Sequence, residues 1–471
     1  ALLEIRSMKL EKENHPTIAA DYRINLIALC VLLLGGIVAV SFNFYAGAPF
    51  WLISAILFIL NNRIGLMEWC VILLPFMFYI RAPMTINCSI ADFLILPVFY
   101  FYFVARNRPK LKEKEAVVLK NLTLYGALLI IVMALSLYRL IFINQPLVLA
   151  AVIDLFKILV CVMYAAVVFK YLCINGKERF LMVAFYLAVG FSLLMIIGVA
   201  AYQQGVDLGL TFAGTFRATG TFEDPNLAAA FLFLMLSFAL IHCMQKRNAV
   251  KIFIPLFVIL CAILLTASKG AFVALLAGLV GVCFLLLIRG EFKKMVVFLG
   301  IIVVVVLLFF ILYQKLDFVR EVYDQAFGRI EEFAGDVSGD HSLKERAFLW
   351  NTAFELGMNH PVLGVGIEQF RPVATEYTGT LVYSIVHNTY LSFWSETGLV
   401  GILAFMWYPL YLVFQCLKEL PYNRACLFYL FSMCCIAVSM YSICLQNFRV
   451  LWVFMAVVAY DVVLKKKEEE K

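Results

Sequence analysis

Four side chains that can handle an anion and a proton stand at polar breaks in an otherwise apolar chain: Arg217, Lys269, Arg346 and His387. Arginine and lysine bind phosphate oxygens through charge-assisted hydrogen bonds. Histidine titrates near neutrality, so a neutral ring can take a proton from a hydroxyl group. His387 lies in VHNTYLSFWSETGLVG, residues 386–401, where a long polar stretch turns back into apolar sequence. Asn388 and Thr389 can cap the helix that follows, and the positive end of that helix disfavours a second positive charge on the ring. Two readings are open for His387, a general base or a hydrogen-bonded interfacial histidine. His341 and His360 share the polar stretch but lead into no apolar helix.

The three cations carry paired readings as well. Arg217, in FRATGTFEDPN, precedes a helix that Asp224 can cap and Pro225 can start. It is either an anion clamp beside a helix amino terminus or a snorkelling interfacial arginine. Lys269, in TASKGAF, is a clamp or a membrane-edge anchor, and Gly270 beside it permits close helix approach. Arg346 and Trp350 are four apart on one helical face and can stack, or form a solvated pair.

These residues must be positioned by membrane helices. The chain has 471 residues, is 64% hydrophobic and only 15% charged, and has a mean hydropathy of +0.95. Soluble domains carry about 25% charged residues, so the apolar excess faces lipid. A net charge of +7 is small for this length. It reads as topological charge rather than as a nucleic-acid footprint, and no nucleic-acid partner is expected. Of the thirteen cysteines, Cys30, Cys70, Cys161, Cys261, Cys434 and Cys435 fall in apolar runs, and none lies in 314–386. They have no metal-ligand spacing and read as small packing residues.

Spanning-length apolar runs near 24–45, 47–60, 64–80, 88–105, 121–143, 147–169, 180–202, 225–244, 250–267, 270–288, 295–313, 388–416, 425–445 and 448–464 predict an all-α polytopic membrane protein with about 12–14 transmembrane helices. With the amino terminus cytoplasmic, basic clusters such as Lys110, Lys112 and Lys114 fall inside, as the positive-inside rule requires. The division is then a cytoplasmic tail over 1–23, helices 1–11 over 24–313, an extracytoplasmic loop over 314–386, helices 12–14 over 387–464 and a cytoplasmic tail over 465–471. The loop is predicted to hold two amphipathic helices. One, over 317–334, carries Phe318, Val322, Ala326, Ile330 and Phe333 on one stripe. The other opens with the capping-box pair Ser342 and Glu345 and runs to about Met358. Arg139, Asp154 and Lys157 lie just below the outer face; Asp154 and Lys157, three apart, can pair, and the cluster either supports the site or stitches two helices, the stitch being the favoured reading.

Four blocks resemble the O-antigen ligase and O-antigen polymerase superfamily: RATGTFEDPNLAAAFL at 217–232, SKGA at 268–271, RAFLWNTAFELGMNHPVLGVGIEQF at 346–370 and HNTYLSFWSETGLVG at 387–401. The resemblance spans roughly residues 210–405, and its last two blocks are specific as an ordered pair. It implies a bacterial inner-membrane glycosyltransferase of the type called GT-C, acting at the periplasmic face without metal or other cofactor. It implies a glycan donor on undecaprenyl pyrophosphate and a lipid-linked glycan acceptor, with His387 as catalytic base. Arg346, Lys269 and Arg217 are then the pyrophosphate ligands. Lys269 stands where the family usually has arginine, which keeps the charge but not the bidentate fork. Three activities follow as alternatives: ligation to a lipid A core, polymerisation of two undecaprenyl-linked glycans, or flipping of a lipid-linked sugar.

Overall fold

A computed structural model describes residues 66–76, 90–106, 108–138, 148–212, 215–244, 249–317, 319–321, 323–324 and 341–464. The expected spans over 24–45 and 47–60, both tails, Arg139 and most of the expected surface helix over 317–334 lie outside these residues.

The described chain is helical. Before the polar loop come α1 (Leu66–Ile72), α2 (Ile90–Phe99), α3 (Glu113–Ser136), α4 (Val148–Asn175), α5 (Glu178–Gln203), α6 (Pro225–Met244), α7 (Ala249–Leu265), α8 (Lys269–Ile288) and α9 (Phe292–Lys315). The loop contributes α10 (His341–Asn359) and α11 (Phe370–Thr378). After it come α12 (Thr389–Glu419), α13 (Ala425–Ser439) and α14 (Arg449–Val458). Among the described residues no strand forms, and a single isolated bridge joins Thr211 to Ala218. Helices satisfy their own backbone groups, which hydrocarbon demands. Six of them, α3, α4, α5, α6, α8 and α12, are long and apolar enough to cross a bilayer. The protein is an all-α, multi-pass membrane protein.

Burial sorts the helices by position. In α6, 83% of the spanning window is buried, against 28% in α8. The first is therefore the centre of the bundle. The second turns Leu276, Val280 and Phe284 outward at helical spacing, where lipid can cover them.

Two elements differ from the sequence expectation. The apolar run near 121–143 belongs to α3, which begins eight residues earlier at Glu113 and stops at Ser136. Its charged first turn is helical because the Glu115 carboxylate accepts from the Lys112 backbone amide at 2.7 Å. The approach to His387 holds a helix that the sequence reading did not foresee, α11. It buries Phe370 and Ala374 and ends on Gly379 in the left-handed region at φ 67°.

α12 is broken at Gly398, with φ 65° and ψ −162°. The break releases carbonyls, and the loop returns to take them. Val365 donates to the Ser395 carbonyl at 2.8 Å, Gly366 to Glu396 at 2.9 Å and Leu399 to Pro361 at 2.8 Å. A Cβ on Gly398 would meet the Val362 carbonyl carbon at 2.5 Å, and one on Gly364 the Glu396 carbonyl carbon at 2.3 Å. Both glycines are required by this close approach. Trp394 completes the seam by donating its indole hydrogen to Phe354 of α10 at 3.1 Å.

Candidate functional site

The polar end of the bundle is assembled around the segment leading into α12. Two turns of α10 hold that segment. Ser384 donates to Glu345 at 2.6 Å, and the Trp350 indole donates to the Val386 carbonyl at 3.1 Å. Arg346 lies between these two anchors in sequence. Trp350, four residues on from Arg346, also fixes the backbone just before His387 through its indole.

Beyond His387 the chain is tied to the turn after α13. Thr389 donates its amide to Met440 at 2.8 Å and its hydroxyl to Ile443 at 2.7 Å, and accepts from the Leu445 amide at 3.0 Å. The expected cap is present: Asn388 accepts from the amides of Tyr390 and Leu391 at 3.0 and 3.1 Å. Held from both sides, His387 adopts φ 51°, a left-handed conformation that costs a non-glycine residue about 1–2 kcal/mol. Ala267 at φ 46° and Glu368 at φ 60° are the two other described non-glycine residues at positive φ, and both belong to this end of the bundle. Backbone strain of this kind persists where surrounding structure over-determines it, and it clusters at functional sites.

The His387 ring is half-buried. Burial, and then the positive charge of Arg346, hold its pKa below the usual histidine range. Asp224 and Glu345 pull weakly the other way. The imidazole is therefore neutral at pH 7 and able to accept a proton. Arg346 and Asp224, from separate parts of the chain, both bear on this ring.

Asp224 connects His387 to the remaining predicted residues. Its carboxylate accepts from the Asn226 amide at 2.6 Å at the start of α6, where Pro225 occupies the first position. The Asn226 side chain in turn accepts from Ser268, the residue before Lys269. Ser268 caps α8 by accepting from the Ala271 amide at 3.1 Å. Arg217 reaches the same turn, with its Nε donating to the Thr266 carbonyl at 3.2 Å and its guanidinium 5.5 Å from the Phe212 ring. A short hairpin docks it there through the Ala218 amide, which donates to Leu265 at 2.9 Å. Arg217 and Lys269 thus flank one turn, while the Arg346 charge on α10 bears on His387.

Val386 also lines a cavity of about 370 Å³. Asp154, Lys157, Glu368, Arg371 and Glu396 contribute to its wall. Lys157 pairs with Asp154 at 2.7 Å and Arg371 with Glu368 at 3.3 Å. Burial first, and then the Asp154 carboxyl hydrogen-bonded to it, raise Glu368 above the usual carboxylate range. The Asp154–Lys157 pairing expected from the spacing is present. The pair meets Glu368 of the loop, in line with the site-supporting of its two readings, and Arg139, the third member of the expected cluster, lies outside the described residues. Glu368 and Glu396 were not singled out from the sequence, because what brings them together is long-range: Glu368 meets Asp154 of α4, and Glu396 accepts from the Phe370 amide of the loop.

The fold and this polar end define a multi-pass membrane protein with a half-buried histidine on which the Arg346 charge bears. Residues 254–406 match the family model described as O-antigen ligase. That match supports the O-antigen ligase and polymerase superfamily. The matched stretch runs from α7 into α12 and includes Lys269, Arg346 and His387, while Arg217 lies before it. No curated protein matches the chain.

Proposed function

We propose that the protein is an O-antigen ligase-type glycosyltransferase of the bacterial inner membrane, working at the extracytoplasmic face. The donor is a glycan on undecaprenyl pyrophosphate, and the acceptor is a sugar hydroxyl of a lipid A core. His387 takes the hydroxyl proton as that oxygen attacks the anomeric carbon of the donor. The carbon–oxygen bond to the pyrophosphate breaks, and undecaprenyl pyrophosphate leaves with the bonding electrons. A one-step attack inverts the anomeric centre.

Arg346, Lys269 and Arg217 hold the pyrophosphate and offset the charge that grows on it. The observation that carries the reading is His387, half-buried, its backbone held at φ 51° and its ring under the Arg346 charge. General-base help of this kind is worth typically 10²–10⁴ in rate. The description of the matching family as O-antigen ligase favours ligation over polymerisation. The purified full chain with undecaprenyl-linked donor and a lipid A core acceptor should give glycosylated core and free undecaprenyl pyrophosphate. Longer glycans on undecaprenyl from donor alone would replace ligation with polymerisation. Transfer undiminished in His387→Ala would remove the base assignment.

A further inference from the structure

The cavity at Val386 differs in kind from the cationic flank of His387. Its charges are compensated internally: Lys157 answers Asp154, and Arg371 answers Glu368. Arg449, also in the wall, is committed to Asp92 through two hydrogen bonds of 3.0 and 2.7 Å. Glu396 is held by the Phe370 amide and the Ser392 hydroxyl, each at 3.4 Å. A wall neutralised this way offers little to a pyrophosphate, which needs uncompensated cations. It offers much to a ligand made of hydroxyl groups, which donate to carboxylates and accept from ammonium and guanidinium hydrogens.

Two further features point the same way. Gln446 also lines the cavity, and its buried side-chain oxygen lacks a hydrogen-bond partner among the described residues. A buried acceptor left open costs free energy unless a ligand or water donor fills it. Phe370 and Phe448 add apolar faces to the same wall, against which the C–H face of a sugar ring can lie. The volume falls near the low end of the 300–1,000 Å³ typical of small-molecule sites.

We propose that this cavity is the subsite for a neutral pyranose ring of the acceptor, set so that one of its hydroxyl groups reaches His387. The assignment rests on the glycosyl-transfer reading above. Val386, whose carbonyl Trp350 fixes, is shared by the cavity wall and the peptide preceding the imidazole. A ring bound at Val386 is therefore next to the base, while the pyrophosphate occupies the other flank. The strained Glu368 backbone at φ 60° aims a carboxyl into this space that local propensity alone would not deliver.

The test uses the full chain in lipid nanodiscs and three probes: a neutral methyl hexoside, a methyl glucuronide and inorganic pyrophosphate. Saturation-transfer NMR should show the neutral hexoside binding and the glucuronide binding at least tenfold more weakly. Glu396→Gln, which replaces a carboxyl oxygen with an amide NH2 and so alters the hydrogen-bonding set with little change of shape, should weaken hexoside binding about tenfold. Ile385→Trp, placed at the cavity wall, should weaken it by as much or more. Pyrophosphate affinity should stay within twofold of wild type in both variants, which also shows them folded.

In turnover, Glu396→Gln should raise the acceptor KM about tenfold and leave the donor KM unchanged. An absence of hexoside binding in the wild-type chain would overturn the proposal. So would unchanged hexoside binding in both variants, a rise confined to the donor KM, or pyrophosphate binding that falls with them. His387→Ala separates this from the broader reading. Intact hexoside binding with undiminished turnover would sink the base and leave the sugar subsite standing.

Discussion

The two ends of the bundle both gather charge, yet they use it differently. At the end away from the loop, the ion pairs join helix termini. Lys177, before α5, meets Asp461 just after α14 at 2.5 Å, and Arg179 meets Glu68 of α1 at 2.7 Å. Tyr429 and Tyr171 add hydrogen bonds to Asp461 and Glu68. These residues have ordinary backbone conformations. At the loop end, the charged groups surround a cavity and a half-buried histidine, and three non-glycine residues are forced to positive φ. Charge clustering is thus common to both ends. In the proposed reading, the site is the end where charge is joined to backbone strain and an open cavity.

The largest effect that can break this comparison is at His387. In His387→Ala, transfer should fall by about 10²–10⁴, with thermal stability unchanged or slightly raised. The strain at φ 51° is local, and the helix cap belongs to Asn388. Equal transfer rates in the variant and wild type would make the strained histidine a structural feature like those at the other end.

The complementary experiment is at Asp461. Breaking one partner of a buried pair typically costs about 3–5 kcal/mol, and the Asp461 side chain is fully buried against Lys177. Asp461→Asn should lower the melting temperature of the purified protein markedly while leaving kcat of the remaining folded fraction unchanged. A selective fall in kcat would show that the two ends are not functionally distinct.

Arg346→Ala should be smaller again. Losing a charge-assisted contact costs about 1.5–3 kcal/mol, so donor affinity should drop about 10- to 100-fold, and Arg346→Lys should recover part of it. The same variant changes the pH profile. Arg346 lowers the His387 pKa by disfavouring the imidazolium, so its removal raises that pKa. The acidic limb of kcat/KM, where protonation disables the base, should move to higher pH. Asp224→Asn should move it to lower pH, because Asp224 favours the charged ring. Limbs that stay put in both variants would detach the profile from this histidine.

The membrane character was legible because it depends only on composition and run length. His387 was legible because Asn388 and Thr389 follow it at the edge of an apolar run, a pattern set by adjacent residues. Arg217, Lys269 and Arg346 could be named singly, but which of them share a turn depended on contacts such as Asn226 to Ser268 and Arg217 to Thr266. Of the carboxylate cavity only the Asp154–Lys157 pair was legible. The cavity exists because Gly398 breaks α12 and the loop from Pro361 to Gly366 returns to the exposed carbonyls. Periodicity instead reads an unbroken apolar helix over that stretch. The short helix α11 escaped for a related reason, since its nine residues bury only Phe370 and Ala374 and carry no extended pattern.

The smallest effect tests whether strain and position are linked at all. The Trp350 indole holds the Val386 carbonyl from α10, next to a residue that local sterics would move out of the left-handed region. Trp350→Phe retains the ring but deletes the donor, and one such hydrogen bond is worth about 1 kcal/mol. The His387 backbone should then relax in part, and kcat should fall about fivefold while donor affinity stays unchanged, because Arg346 remains on an intact helix. A matching loss in donor affinity would mean that Trp350 supports the whole of α10. An unchanged kcat would mean that the Thr389 contacts on the other side of His387 suffice to aim the ring.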